Sequence, residues 1–272
     1  TDYLIASRAA AKLLSARNAM TAYVALAAGK KVTDFQKSDA LQNAAGYARK
    51  LRDYARAEEL ADKIPIDAVA KTVRMENLLA QRRGKEVVEK FGGEDLSKWP
   101  FWQIGAGAFA RGKAYTVVRN GNAAESDFQA ALAHTPDTRI QTSIRLLMGS
   151  NRELILNDDD GALLVYRPNF ESKTNIGGAD EFRSVEKAAG ILARQGKFDE
   201  ALATFNAVNF ERVTGFWRNA MLLARGDTLA AAGMKSKALD DYNSVLADKK
   251  AHTAHRKTAE EQIQTLNSVP EN

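Results

Sequence analysis

Four segments of the chain repeat one pattern at nearly constant spacing, and that spacing constrains the fold more than any other feature. They are Ala124-Glu-Ser-Asp-Phe128, Ala162-Leu-Leu-Val-Tyr166, Ala201-Leu-Ala-Thr-Phe205 and Ala238-Leu-Asp-Asp-Tyr242: an alanine, three residues, then an aromatic ring. Successive alanines lie 38, 39 and 37 residues apart, and so do the aromatics. A period of this size belongs to a supersecondary unit that cannot bury its apolar face alone and stacks on copies of itself. The small residue lets two antiparallel helices approach closely, and the ring one turn later fills the gap to the next unit. Phe101-Trp102 and Phe216-Trp217 carry a second marker, 115 residues apart. Three periods of about 38 span that distance.

The units read as helices only. Pro65, Pro100, Pro136, Pro168 and Pro270 fall between helix-like segments rather than inside them. Ala, Leu, Lys, Arg, Glu and Gln dominate, and no alternating β-branched run bounded by hairpin turns occurs. The segment 201–208 places apolar residues on one helical face. Gly112, Gly149 and Gly226 lie upstream of the alanines, and Gly121, Gly161, Gly196 and Gly233 are expected to mark the turn inside each helix pair. Gly149 stands one place out of register.

These residues resemble the tetratricopeptide repeats, whose pattern is Leu-Gly-x-x-Tyr, then Ala-x-x-x-Phe, then Pro. Gly112, Tyr115, Ala124, Phe128, Ala131-Leu132 and Pro136 make the best unit, and Gly226, Leu229, Gly233, Ala238, Tyr242 and Val245-Leu246 make a similar one. Ala189, Leu192, Gly196, Ala201 and Phe205 form a third, with alanine in place of the first glycine. Val87-x-x-x-Phe91 and Ala57-x-x-x-Ala61 continue the pattern upstream in weaker form, at offsets of 37 and 30 residues. The resemblance implies an all-α fold, a right-handed α-solenoid of helix-turn-helix repeats forming one domain over residues 1–272. Residues 1–40 are then N-terminal capping helices, 41–99 degenerate repeats, 100–250 tetratricopeptide-like repeats and 251–272 a C-terminal capping helix. The period exceeds the family's usual length of about 34 residues.

Residues 168–179 break the pattern with Pro168 and Gly177-Gly178, and are expected to form a mobile linker, with a binding loop as the alternative. Trp99 and Trp102 flank Pro100 and read as core or inter-repeat filler, with a ligand-facing role as the alternative. Candidate chemistry is mostly absent. The chain has no cysteine, which excludes disulfides, thiolate metal sites and a cysteine nucleophile. His252 and His255 share a helix face but lack a convergent set of further ligands. Asn157-Asp-Asp-Asp-Gly161 fails the EF-hand spacing and reads as the acidic start of a helix. No nucleotide or nucleophile-elbow fingerprint follows a strand. The expectation is therefore no catalytic, cofactor or metal site and no small-molecule substrate. The longest charge-free run near the N-terminus, 18–29, is too short to cross a bilayer.

Residues 1–136 carry 21 Lys+Arg against 15 Asp+Glu, and residues 137–272 carry 18 against 19. That bias can steer an acidic partner but falls short of a nucleic-acid footprint. The Arg82, Arg83 and Lys85 cluster reads as a solvated helix end. The family resemblance implies that the first helix of each pair lines a concave surface for a protein or peptide. Carried over from the Gly112–Ala124 register, the lining residues are Ala106, Phe109, Lys113 and Thr116, then Leu147, Asn151, Arg183, Glu186 and Asp227. The function expected is a non-catalytic interaction scaffold or assembly factor. The alternatives are an accessory or regulatory domain of a larger enzyme or secretion complex, and an RNA-binding helical-repeat protein. The start at Thr1, the alanine-rich opening and the lack of cysteine suggest an exported bacterial protein of the periplasm or cell envelope, with a cytoplasmic location as the alternative.

Overall fold

The structure is a computed structural model that describes residues 15–171 and 177–268. Among the described residues it contains fourteen α-helices and no strand. No helix among them is long and apolar enough to cross a membrane. Backbone proximity divides the chain into two compact units, Thr1–Ile144 and Arg145–Asn272. In the first lie α1 (Ala16–Ala27), α2 (Asp34–Lys50), α3 (Tyr54–Ala61), α4 (Asp67–Ala80), α5 (Gly84–Phe91), α6 (Phe101–Val117) and α7 (Gly121–Ala133). The boundary falls within α8 (Thr138–Asn151). The second unit continues with α9 (Asp159–Tyr166), α10 (Ala179–Arg194), α11 (Phe198–Thr204), α12 (Gly215–Ala231), α13 (Lys235–Ala247) and α14 (Thr253–Ser268).

Six of the connections are built alike. Between α2 and α3, α4 and α5, α6 and α7, α8 and α9, α10 and α11, and α12 and α13, one residue takes left-handed backbone. These are Arg52 (φ 59°), Arg82 (61°), Arg119 (56°), Asn157 (55°), Gly196 (74°) and Gly233 (73°). The next N–H reaches back to close the helix end: Asp53 to Ala48 O, Arg83 to Leu78 O, Asn120 to Tyr115 O, Lys197 to Leu192 O and Met234 to Leu229 O, each at 2.9 Å. This is the Schellman closure, which satisfies a carbonyl that the helix end leaves open. Five residues after each left-handed position stands the small or β-branched residue of the second helix: Ala57, Val87, Ala124, Ala162, Ala201 and Ala238. The weak upstream units therefore share the turn of the strong ones. Gly196 and Gly233 sit at the turn as expected. Gly121 and Gly161 do not: they lie in the first turn of α7 and α9, and Arg119 and Asn157 take the strained position. A single left-handed residue costs only about 1–2 kcal/mol, so a glycine there is optional.

The alanine–aromatic pattern marks the helix-pair junction. Ala124, Phe128, Ala162, Tyr166, Ala201, Phe205, Ala238 and Tyr242 are all buried. Three of the four rings lie against a glycine of the first helix. A methyl built on Gly112 would stand 2.9 Å from Phe128 Cδ1, and one on Gly226 would stand 2.5 Å from Tyr242 Cε1. Gly149 faces Tyr166 more closely still. Burying each ring contributes roughly 1.5–3 kcal/mol. Gly112 to Phe128 and Gly226 to Tyr242 both span 16 residues, and so does the corresponding Ala189 to Phe205. Gly149 to Tyr166 spans 17, and the extra residue is absorbed by a π-helical turn at Arg152–Leu156. There the closing bond runs from Asp158 N one residue further back, to Arg152 O at 2.8 Å.

Two of the four junctions add a buried ion pair beside the ring. Arg111 is bidentate to Asp127 at 2.7 and 2.7 Å, and Arg225 is bidentate to Asp241 at 2.8 and 2.6 Å. The hydroxyls of the two tyrosines also find partners. Tyr242 donates to Asp227 at 2.7 Å, while Tyr166 meets Ser150 at 3.1 Å and donates to Glu153 at 3.2 Å. Ser150 and Asp227 each directly follow the small residue. Where the ring is phenylalanine that position holds Lys113 or Gly190, neither of which meets a ring hydroxyl.

The segments that flank the repeats are helical where they are described. Helix α1 buries Ala19, Tyr23 and Ala27 on one stripe, with Tyr23 stacked on Tyr47 at 6.0 Å; residues 1–14 lie outside the described residues. Helix α14 buries Ala259 and rests Ile263 and Leu266 on the core of the last pair. Asp158 caps α9 through Gly161 N at 2.9 Å, the acidic helix start expected for 157–161. Of the expected linker, Arg167–Asn169 form a 3₁₀ turn, Phe170 is buried, and residues 172–176 lie outside the described residues.

Candidate interaction surface

The first helices of the first unit share a stripe at helical spacing. On α6 it runs Trp102, Ala106, Phe109, Lys113, Thr116, and on α2 Phe35, Asp39, Gln42, Gly46, Arg49. Between these helices lies α4, whose Val69 and Thr72 are fully buried. Phe35 and Trp102 meet edge to face above it at 4.9 Å, yet they remain 52% and 45% exposed. Beneath them Gln103 donates to Thr72 Oγ1 at 2.8 Å. At the other end Arg49 forms an ion pair with Glu76 of α4. The Lys113 ammonium lies 4.5 Å from the centroid of Phe109. Burial pushes Lys113 below the usual lysine range; Glu76 opposes that shift and Arg49 adds to it. The result is a cleft with an aromatic clamp at one end and a charged recess at the other.

Trp102 is not the core filler the sequence suggested. Trp99 takes that role, its ring lying against Gly107. The Phe-Trp pairs are also offset by one residue from the true register. Gly112 and Gly226 lie 114 residues apart, which makes Phe216, not Trp217, the counterpart of Trp102. Phe216 is 51% exposed, matching it, and packs against His255 at 4.5 Å and His252 at 6.1 Å. Burial first, and His252 second, hold His255 below the usual histidine range.

The other lining residues expected from sequence belong to the second unit. Arg183 lies over Trp217 at 5.6 Å, and Phe182 stacks on the same ring at 5.8 Å. Glu186 and Asp227 face the same surroundings. Both residues are exposed, but crowding by neighbouring protein raises both carboxyls above their usual range; Asp227 pushes Glu186 further up, while the Tyr242 hydroxyl pulls Asp227 down. Asp227 is the counterpart of Lys113, with the charge reversed at one repeat position. Asn151 requires a correction: it is 1% exposed and offers no side chain to a partner. Its assignment counted 38 residues from Lys113, but the additional residue enters only afterwards, in the π turn. Gly112 to Gly149 is 37 residues, so the counterpart of Lys113 is Ser150, and Leu147 is displaced in the same way from Leu146. Phe35, Arg49 and Glu76 escaped the sequence reading because their repeats lack the glycine that sets the register.

The basic cluster at Arg82–Lys85 is partly neutralised, Arg83 by Glu86 at 2.5 Å and Lys85 by Glu89 at 3.8 Å. Among the described residues no three histidine, aspartate or glutamate side chains converge as metal ligands. No family model matches the chain, and no curated protein matches it.

Proposed function

We propose that this chain is a non-catalytic scaffold of the tetratricopeptide type, coiled as a right-handed solenoid, that binds a peptide or protein segment in the α2–α4–α6 cleft. The observation that carries this reading is the Phe35–Trp102 clamp: two large aromatics in contact with each other, yet about half exposed. Aromatic residues of this kind dominate interface energetics, because they bury much area at small entropic cost. Six equivalent turns and three ring-on-glycine junctions support the repeat architecture. The test is selection of a random-peptide display library on the full chain, with a Phe35→Ala/Trp102→Ala variant as comparison. Peptides retained by the parent and lost by the variant support the cleft. A selection that enriches nothing, or enriches peptides held equally by both, refutes it.

A further inference from the structure

At Lys113 charge and solvation are out of balance. Its ammonium is crowded by protein and rests on the Phe109 ring, and among the described residues no carboxylate stands within ion-pair reach of it. The nearby carboxylate, Glu76, is engaged by Arg49. This end of the cleft thus holds two cations and one anion. Lys113 is half-buried, and an ammonium that has given up part of its hydration without gaining a counter-ion is costly; an incoming carboxylate reduces that cost.

The repeat itself does not require this lysine. Its counterparts are Gly46, Glu76, Ser150, Gly190 and Asp227, unlike chemistries on the same helical position. Two of them serve the tyrosine hydroxyl of their own junction. Lys113 has no such task, because its junction ring is Phe128. The cation is surplus to the fold.

Trp102 and Lys113 lie eleven residues apart on α6, about 16 Å at the helical rise. An extended peptide covers that distance in about five residues. We infer that the cleft takes an extended acidic peptide: an aromatic or large aliphatic side chain seats against Phe35 and Trp102, and an aspartate or glutamate about five residues away reaches Lys113. This rests on the peptide-binding reading above and adds the chemistry of the occupant. Residues 1–144 carry 22 Lys+Arg against 16 Asp+Glu, which favours an acidic partner at long range. A nucleic-acid strand needs a row of cations, whereas Glu76 interrupts this one.

The experiment sequences the peptides selected on the full chain and measures their binding to Lys113→Met and Lys113→Arg variants. Acid enriched about five positions from a large apolar residue, with at least a tenfold loss of affinity in Lys113→Met and a smaller loss in Lys113→Arg, supports the inference. The melting temperature of Lys113→Met should equal or exceed that of the parent, because the change removes an uncompensated charge. Peptides that depend on Trp102 but lack the acid, or that bind Lys113→Met within twofold of the parent, overturn the inference while leaving the peptide-binding reading intact. A selection that enriches nothing overturns both. A Lys113→Met chain that melts below the parent also overturns it, since the lysine would then be serving the fold.

Discussion

Replacing glycine by alanine should change stability with opposite sign at two sets of helical positions. Inside a helix the change gains about 0.8–1 kcal/mol of propensity wherever the added methyl finds room. At Gly190 the nearest neighbour of that methyl is the Arg194 Nη1 at 3.9 Å, and at Gly46 it is the Arg49 Nη2 at 3.7 Å; both are ends of flexible side chains. At Gly226 the methyl meets Tyr242 Cε1 at 2.5 Å, about 1 Å inside ordinary carbon contact. Tyr242 cannot retreat, because it is fully buried and its hydroxyl is tied to Asp227 at 2.7 Å. Overpacking of that kind costs about 1–3 kcal/mol. After the propensity gain is subtracted, Gly226→Ala and Gly149→Ala should lose up to about 2 kcal/mol. Gly190→Ala and Gly46→Ala should gain up to about 1 kcal/mol. For units of this size the two sets should separate by several degrees in thermal melts followed at 222 nm, about 2–4 °C per kcal/mol. Hydrogen exchange would assign each change to its unit. A Gly226→Ala chain that melts at or above the parent, or a Gly190→Ala chain that melts below it, refutes the ring-on-glycine account of the junction.

Arg52→Gly and Arg82→Gly should each stabilise by about 0.5–1 kcal/mol, since the left-handed strain removed exceeds the entropy glycine adds to the unfolded chain; a lower denaturation midpoint in either would count against the shared turn. The docking of α14 should weaken in acid. Burial and His252 favour neutral His255 in the folded state, so its contribution is present above the ordinary histidine value of about 6.5 and is lost as pH falls through it. Amide exchange across 253–268 should therefore quicken between about pH 7.5 and 5.5, and His255→Leu should remove the dependence. Exchange rates that do not change over that range would contradict it.

The repeat was legible because its marker is a packing necessity. Ala124, Ala162, Ala201 and Ala238 must be small for two helices to meet, and their rings must fill the space that remains. The turns were harder to read, because a left-handed residue is tolerated in many side chains; nothing in Arg52, Arg82 or Arg119 announces the role that Gly196 and Gly233 advertise. Exposure was not legible at all. Trp102 reads as core by residue type, and only its place on the outer stripe of α6 leaves it to solvent. Four of the five residues of the α6 stripe were found from the repeat register, but its facing stripe on α2 was not, since Gly46 and Arg49 carry no periodic signal. Asn151 was misassigned by one residue because spacing counts residues, whereas contact follows turns.

The widened turn at Arg152–Leu156 has a consequence for how such a chain can change over time. An added residue normally rotates everything beyond it by about 100° on a helix, which would tear Tyr166 from Gly149. Here the surplus is taken up as girth, so the ring and its seat keep their places. The enlarged loop also turns Glu153 inward, where Lys187 at 3.3 Å and Arg194 at 3.1 Å gather around it. Removing the surplus residue would take Glu153 from Lys187, whereas Arg194 would keep Asp159 at 3.3 Å. Repeat length can thus drift by single residues in this architecture, and each accommodated slip leaves behind a polar contact that its regular siblings do not possess.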